Sequence, residues 1–213
     1  MASLGQVAPS RVAEDPRSSD TSRVEAFSDG VFAIAITLLI LEIKVPHGDA
    51  PGGLGPALAQ LWPSYMAFVT SFATIGVMWV NHHRLFSLIV RSDDGLVGLN
   101  LLLLLGVTWV PFPTALLAEH LRGADQRVAG IVYGATFLFL AVVFNVLWHY
   151  VRRRGLVIQH VHVNSITRQY ALGPLLYAVT TGVAVVSATA CLVVSAAIAI
   201  YFALPPRLWQ RTP

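Results

Sequence analysis

The chain alternates between long apolar stretches and short polar or Gly/Pro-containing segments. The first stretch, Phe27–Val45, would form a helix about 28 Å long at about 1.5 Å per residue, close to the thickness of a bilayer's hydrocarbon core. The last, Tyr170–Leu204, would reach about 52 Å and is too long for one crossing, so we divide it near Ser187–Thr189 into two short spans. The pattern predicts six helices: Phe27–Val45, Trp62–Asn81, Gly95–Leu117, Val128–Tyr150 and the two halves of Tyr170–Leu204.

The segments between these stretches define the expected organisation. A Gly/Pro-rich loop, HGDAPGGLGP, separates the first two helices, and Pro111 and Pro113 interrupt the third. We expect a disordered cytoplasmic tail over residues 1–22, one six-helix membrane domain over 23–205, and a short cytoplasmic tail over 206–213.

The composition indicates that this chain is embedded in a lipid bilayer. It is 55% hydrophobic and 12% charged, with a mean hydropathy of +0.66, whereas soluble domains carry about a quarter charged residues. The single cysteine, Cys191, cannot form an intrachain disulfide. The fold class predicted is therefore an all-α membrane protein.

The placement of lysine and arginine predicts the orientation. With a cytoplasmic N-terminus, eleven of the 14 basic residues fall on the cytoplasmic side and three on the other, a positive-inside pattern. Both termini are then cytoplasmic, in a cell membrane. The net charge of +3 is explained by this topology and not by nucleic-acid binding. Trp62, Trp79 and Trp148 fall near predicted helix ends, where interfacial anchors occur.

The first helix has two chemically different faces. At 100° per residue, Leu38 and Leu41 lie within about 40° of Ile34 and form an apolar stripe. Ser28 and Asp29 point to the other half of the helix. The periodicity alone leaves the stripe open to lipid or ordinary helix packing.

Polar residues of the following helices meet the start of the first helix at one depth. They are Asn81, His82 and His83 at the end of the second helix, Asn100 in the third, and Asn145 and His149 in the fourth. A carboxylate at that depth is costly unless it is paired. We expect Ser28 and Asp29 to bond to His82, His83, Asn81 or Asn100 and so to fix the first helix against its own bundle.

Two other polar residues of the first helix have ordinary interpretations. Thr37 lies about 60° from Ile34, and threonine in a helix most often bonds the carbonyl of the preceding turn. Arg23 falls on the same side of the helix as Ile34. An interfacial arginine and an arginine with a specific structural partner both fit this position equally well.

Two motifs nevertheless point to a family. Arg23 is followed four residues later by Phe27-Ser28-Asp29-Gly30 and then by VFAIAITLLILEI, and the second helix ends Trp79-x-Asn81-His82-His83-x-x-Phe86. Together, at matching topology, these resemble the transmembrane-protein-175 family of potassium channels, and this chain resembles its prokaryotic, single-copy branch.

The resemblance implies a homotetramer with the first helices around a central pore that conducts K⁺ without a cofactor. It implies that Ile34, Leu38 and Leu41 line a hydrophobic ion path, with Thr37 adding a hydroxyl layer. It also implies that Arg23, Phe27, Ser28 and Asp29 pack at the cytoplasmic end and interact with the histidines of the following helices. The polar network expected there also includes Trp79, Asn81, His82, His83 and Asn100. No Thr-Val-Gly-Tyr-Gly filter sequence is present.

Other functions stay open from the residues themselves. Asp29, His82 and His83 would suit a proton-coupled transporter or proton conductor, although no inverted repeat is visible. A metal site there is disfavoured because adjacent histidines on a helix point about 100° apart. An accessory membrane protein is a further possibility. An enzyme is not expected, because Ser28 lacks a nucleophile-elbow context.

Overall fold

The computed structural model describes residues 16–46, 52–158 and 163–203, with side chains described for all of these except 16–19, 163–166 and 169. Regular structure in these residues is helical, apart from one isolated antiparallel bridge between Ile89 and Val157. The helices are α1 (Pro16–Leu38), which continues as a 3-10 turn (Leu39–Glu42), α2 (Leu54–Gln60), α3 (Trp62–Phe86), α4 (Asp94–Trp109), α5 (Pro111–His120), α6 (Gln126–Arg153), α7 (Val163–Ala184) and α8 (Ala188–Ala203). The all-α prediction is confirmed.

Within the described part of the chain, four helical segments are long and apolar enough to cross a membrane. These are Asp20–Glu42, Trp62–Phe86, Asp94–His120 and Gln126–Arg153. Two shorter apolar helices follow, Tyr170–Ala184 and Ala188–Ala203. The break between α7 and α8 lies at residues 185–187, beside the position at which the sequence pattern was divided.

Several boundaries differ from the sequence expectation. α3 continues past Asn81 to Phe86, and α7 begins at Val163 and not at Tyr170. α1 begins at Pro16, so residues 16–22 of the expected tail are helical; a proline in the first turn loses no helical hydrogen bond, and Thr21 is already buried. α2 occupies part of the expected Gly/Pro loop, because Pro56 falls in its first turn, where a missing N–H is harmless. The remaining tail residues, 1–15 and 206–213, lie outside the described residues, as do the last two residues of the expected membrane domain, 204 and 205.

The helices pack around α6, which contacts α4, α5, α7 and α8, while α1 packs against α3 and α4. A buried hydroxyl cluster joins three helices inside the bundle. Ser71 Oγ of α3 lies 2.8 Å from Thr114 Oγ1 of α5 and 3.1 Å from Tyr133 Oη of α6. Such bonds supply polar groups with partners where lipid offers none.

The tryptophans are only partly placed as expected for interfacial anchors. Trp62 is exposed and lies beneath the Arg122 guanidinium. Trp148, by contrast, is fully buried, and its Nε1 donates to Thr167 Oγ1 over 3.1 Å. Its assignment as an interfacial anchor was wrong, because α7 covers the face of α6 on which it lies.

Candidate functional site

Two side-chain pairs join α1 to the end of α3. The carboxylate of Asp29 accepts a hydrogen bond from Trp79 Nε1 over 2.8 Å, and Glu25 Oε1 lies 2.8 Å from His83 Nδ1. α1 and α3 run antiparallel. Asp29 lies four residues after Glu25 in α1, and its partner Trp79 lies four residues before His83 in α3. The same register therefore produces both pairs.

A buried chain of hydrogen bonds joins α1, α3 and α4 beside these pairs. Asn100 Nδ2 donates to Ser28 Oγ over 2.9 Å, and Ser28 Oγ donates to the Val24 carbonyl over 2.8 Å. Asn100 Oδ1 must then accept, so His82 Nε2, at 2.8 Å, carries the proton of that bond. Ser28, His82 and Asn100 are all at most 1% exposed.

Aromatic rings enclose His82 on two sides. Its imidazole stacks on Phe86 at a centroid distance of 4.3 Å and is tilted against Phe32 of α1 at 5.4 Å. Among the described residues, its Nδ1 is a buried nitrogen without a hydrogen-bond partner. The histidine is therefore held by packing and one bond, as part of the contact between α1 and α3.

These contacts partly match the residues predicted for the polar network. Ser28 bonds to Asn100 as expected, whereas the partner of Asp29 is Trp79 and not one of the four residues proposed for it. Asn81 donates to the Val77 carbonyl of its own helix and does not reach α1.

Arg23 and Phe27 lie outside the hydrogen-bonded network. Both are exposed and line a cleft beside the start of α4, together with Asp20 and Asp94. Sequence reasoning missed the pairing of Glu25 with His83. The available signal was the position of Glu25 one helical turn before Asp29, on the same face.

The opposite side of α1 is apolar and exposed in the single chain. Ile34, Leu38 and Leu41 are 59%, 41% and 63% exposed, whereas Phe32 and Leu39 are buried against the bundle. The two faces predicted from helix geometry are therefore distinct in the structure. We call Ile34, Leu38 and Leu41 the α1 stripe.

The backbone keeps this stripe aligned where the helix tightens. From Leu39 to Glu42 the turn is 3-10, in which residues three apart eclipse one another, so Leu41 stays beneath Leu38. Thr37, beside the stripe, is exposed and donates its hydroxyl proton to the Ile34 carbonyl over 2.8 Å. Its oxygen lone pairs thus remain available as acceptors.

The charged groups of the described residues do not assemble into a metal centre. Among these residues, no three or more His, Cys, Asp or Glu side chains come together in a group that could hold a metal ion. Asp29, His82 and His83 each have a different protein partner.

Comparisons with known proteins agree with both motifs. The model of the family described as endosomal/lysosomal potassium channel TMEM175 matches residues 23–111. A potassium channel of Chamaesiphon minutus is 53% identical over 197 residues, covering 90% of this chain and 97% of that protein. A potassium channel of Streptomyces collinus is 48% identical over 189 residues, covering 86% of this chain and 92% of that protein.

A solved structure shares the fold. The crystal structure of a lysosomal potassium-selective channel TMEM175 homologue from Chamaesiphon minutus superimposes with a TM-score of 0.80 at 51% identity, covering 91% of this chain and all of that one. The identity extends over nearly the full length of both chains, and the apolar helices are those of a multi-pass membrane protein. The chain belongs to the TMEM175 family, whose members are ion channels and not enzymes.

Proposed function

We propose that this protein is a potassium channel in which α1 from each of four copies faces a shared axis and lines the ion path. The relatives named as potassium channels, and the potassium-selective channel with the same fold, support the permeant ion. In this proposal K⁺ is the transported ion, no cofactor takes part, and the partners are the other subunits and the bilayer.

The observation that carries the proposal is the exposure of the α1 stripe. α1 is held to its own subunit through the contacts of Ser28, Asp29 and Glu25, while Ile34, Leu38 and Leu41 remain uncovered in the single chain. An exposed apolar stripe could equally face lipid. What favours a pore lining is that the contacts of α1 with its own subunit fix its rotation, so that the stripe points in one direction. Four copies around an axis would bring the stripes together.

A ring of four Ile34 side chains would act as a hydrophobic constriction. Such a ring dewets when narrow and makes a passing ion shed water. The cost falls more heavily on sodium, which holds its hydration shell more tightly than potassium. Thr37, with its proton directed to the Ile34 carbonyl, would present oxygen lone pairs to the dehydrated cation. Leu38 and Leu41 would extend the apolar lining.

The surrounding topology follows from the same proposal. α7 and α8 would complete six membrane helices per subunit, although each is shorter than the other spans. Both termini would lie in the cytoplasm, because eleven of the 14 basic residues then fall on that side of a cell membrane. Arg23 and Phe27 would lie at the cytoplasmic mouth.

The alternative of a proton-coupled transporter or proton-conducting membrane protein built on Asp29, His82 and His83 has weaker support. Asp29 is bonded to Trp79, His82 to Asn100, and His83 to Glu25. Three separate pairs favour a structural role over a continuous relay.

Reconstitution of the purified protein into liposomes tests the proposal. Reversal potentials would be measured under opposed potassium and sodium gradients, with both ions present on each side, and then under a proton gradient. A channel gives a non-saturating current that reverses near the potassium equilibrium potential. A saturating flux that follows the proton gradient would favour the carrier, and silent liposomes would contradict both.

A further inference from the structure

An open groove of about 600 Å³ lies between the ends of α6 and α7. Its deeper part is lined by apolar side chains, among them Val142, Val146 and Pro174, and its outer part by His149, Arg153 and Arg154. Val142 and Val146 are 42% and 47% exposed in the chain. The groove therefore combines an apolar wall with a cationic end.

The residues of the groove change along α6 from apolar to cationic, as a bilayer changes from its interior to its surface. Val142, Val146, His149 and Arg153 follow one another at spacings of four, three and four, which places them on one face of the helix. The face changes from apolar to cationic towards the end of α6 at Arg153. A lipid has the same order, with an acyl chain inside and a headgroup at the surface.

The cations at this end differ in how far they are already neutralised. Arg154 Nε lies 3.7 Å from an Asp93 carboxylate oxygen and donates to Tyr150 Oη over 3.3 Å. Arg153 is exposed, and within the described part of the chain no hydrogen bond or ion pair holds it. None of the described residues that line the groove carries a carboxylate. Of the two arginines that the structure describes in the groove lining, Arg153 is therefore the one without a counter-ion.

His149 adds a second polar group beside Arg153. Its Nδ1 lies 2.8 Å from the Asn145 carbonyl, and since a carbonyl only accepts, Nδ1 is the donor. Nε2 takes no part in this bond, and in the neutral ring it is an acceptor that suits a hydroxyl donor. It lies one helical turn before Arg153, at the spacing that allows both side chains to reach one ligand.

We propose that this groove binds an anionic phospholipid of the surrounding bilayer, with the phosphate at Arg153, a headgroup hydroxyl at His149 Nε2 and an acyl chain along Val142 and Val146. Basic pockets between membrane helices on the cytoplasmic side suit anionic headgroups, and the positive-inside pattern assigns this end to that side. α7 packs chiefly against α6 and α8, whereas α1 packs against α3 and α4. The groove thus lies away from the α1 stripe, where lipid reaches the subunit.

Native mass spectrometry of the full chain in detergent tests this site without measuring current. The protein would be titrated with palmitoyl-oleoyl phosphatidylglycerol and, separately, with the matching phosphatidylcholine. We expect phosphatidylglycerol to bind more tightly, and Arg153→Gln to weaken it about fivefold, as one cation at a membrane surface contributes about 1 kcal/mol. Val146→Asn should weaken it as well.

Arg168→Gln is the matched control, because Arg168 is exposed near the start of α7 and does not line the groove. It should leave the affinity unchanged. Equal loss in the Arg153 and Arg168 variants would overturn the proposal, since it would reflect surface charge alone. So would equal affinity for the two lipids, or displacement of the lipid by millimolar inorganic phosphate, which would mark a free-anion site.

Discussion

Asn100 of α4 donates a hydrogen bond to Ser28 of α1 over 2.9 Å, and both side chains are buried. The same amide accepts the bond from His82, so one side chain connects three helices. Ser28 and His82 are both buried, so neither side chain can bond to water in place of Asn100. The contact therefore fixes the rotation of α1 about its own axis, and with it the direction of the α1 stripe.

Replacing Asn100 with leucine should destabilise the subunit. Leucine keeps the branching of asparagine at Cγ but makes no hydrogen bonds, so the His82 N–H loses its acceptor and Ser28 loses a donor. A buried unsatisfied polar group costs about 1–3 kcal/mol, and hydrogen bonds between membrane helices contribute at the low end of that range. We expect a loss of about 1–2 kcal/mol in the free energy of unfolding, measured by denaturation in detergent micelles.

Asn81→Leu is the control for this variant, because the Asn81 amide donates only to its own helix at Val77. It should change the free energy of unfolding clearly less. Equal effects of the two substitutions would show that the Asn100 bonds do not hold the helices together.

Asn145 compensates for a proline in the neighbouring helix. Pro174 lies inside α7 and has no N–H for the carbonyl of Tyr170 four residues earlier. Asn145 Nδ2 donates to that carbonyl over 2.7 Å. We expect Asn145→Leu to destabilise the protein by about 1 kcal/mol, and by less in a Pro174→Ala background, where the backbone supplies the missing donor.

A double-mutant cycle between the two positions measures this dependence. The four proteins would be compared by the same denaturation assay. Additive effects would mean that the amide does not substitute for the proline's absent N–H.

Gly134 permits a close approach of α6 and α7. A Cβ at this position would lie 2.9 Å from Thr181 Oγ1 and 3.0 Å from Thr181 Cα, so the backbone itself would have to move. Gly134→Ala should therefore destabilise the protein by about 1–3 kcal/mol. Gly182, one residue further along α7, has no atom within 4 Å of the equivalent position.

Gly182→Ala should be neutral or stabilising by up to about 1 kcal/mol, since alanine favours the helix. Thermal unfolding of both variants in one detergent gives the comparison. If both variants lost stability, the cause would be the replacement of a helical glycine by alanine in general and not the contact between Gly134 and Thr181.

The division of α1 into two faces could be predicted from the sequence. A helix turns by 100° per residue, so Ser28 and Ile34 point to different faces whatever the helix packs against. The partner of Asp29 could not. Several polar groups of α3 and α4 were expected at one depth, and only the antiparallel register of α1 and α3 selects Trp79.

Other contacts depend on tertiary packing alone. The burial of Trp148 follows from the path of α7, which no pattern in α6 specifies. The need for glycine at position 134 follows likewise from the position of Thr181. The start of α1 at Pro16 was missed because its first turns are polar and carry no apolar periodicity.

The permeability ratio of potassium to sodium in an Ile34→Ser variant is the most direct test of the proposed ion path. Leu105→Ser is the control, because Leu105 lies on α4, is 67% exposed and is not part of the α1 stripe. Both would be reconstituted in liposomes and their reversal potentials recorded under opposed potassium and sodium gradients. We predict that the ratio falls towards one in the Ile34 variant and stays at the wild-type value in the control. An unchanged ratio in Ile34→Ser would contradict the assignment of the α1 stripe to the selective part of the pore.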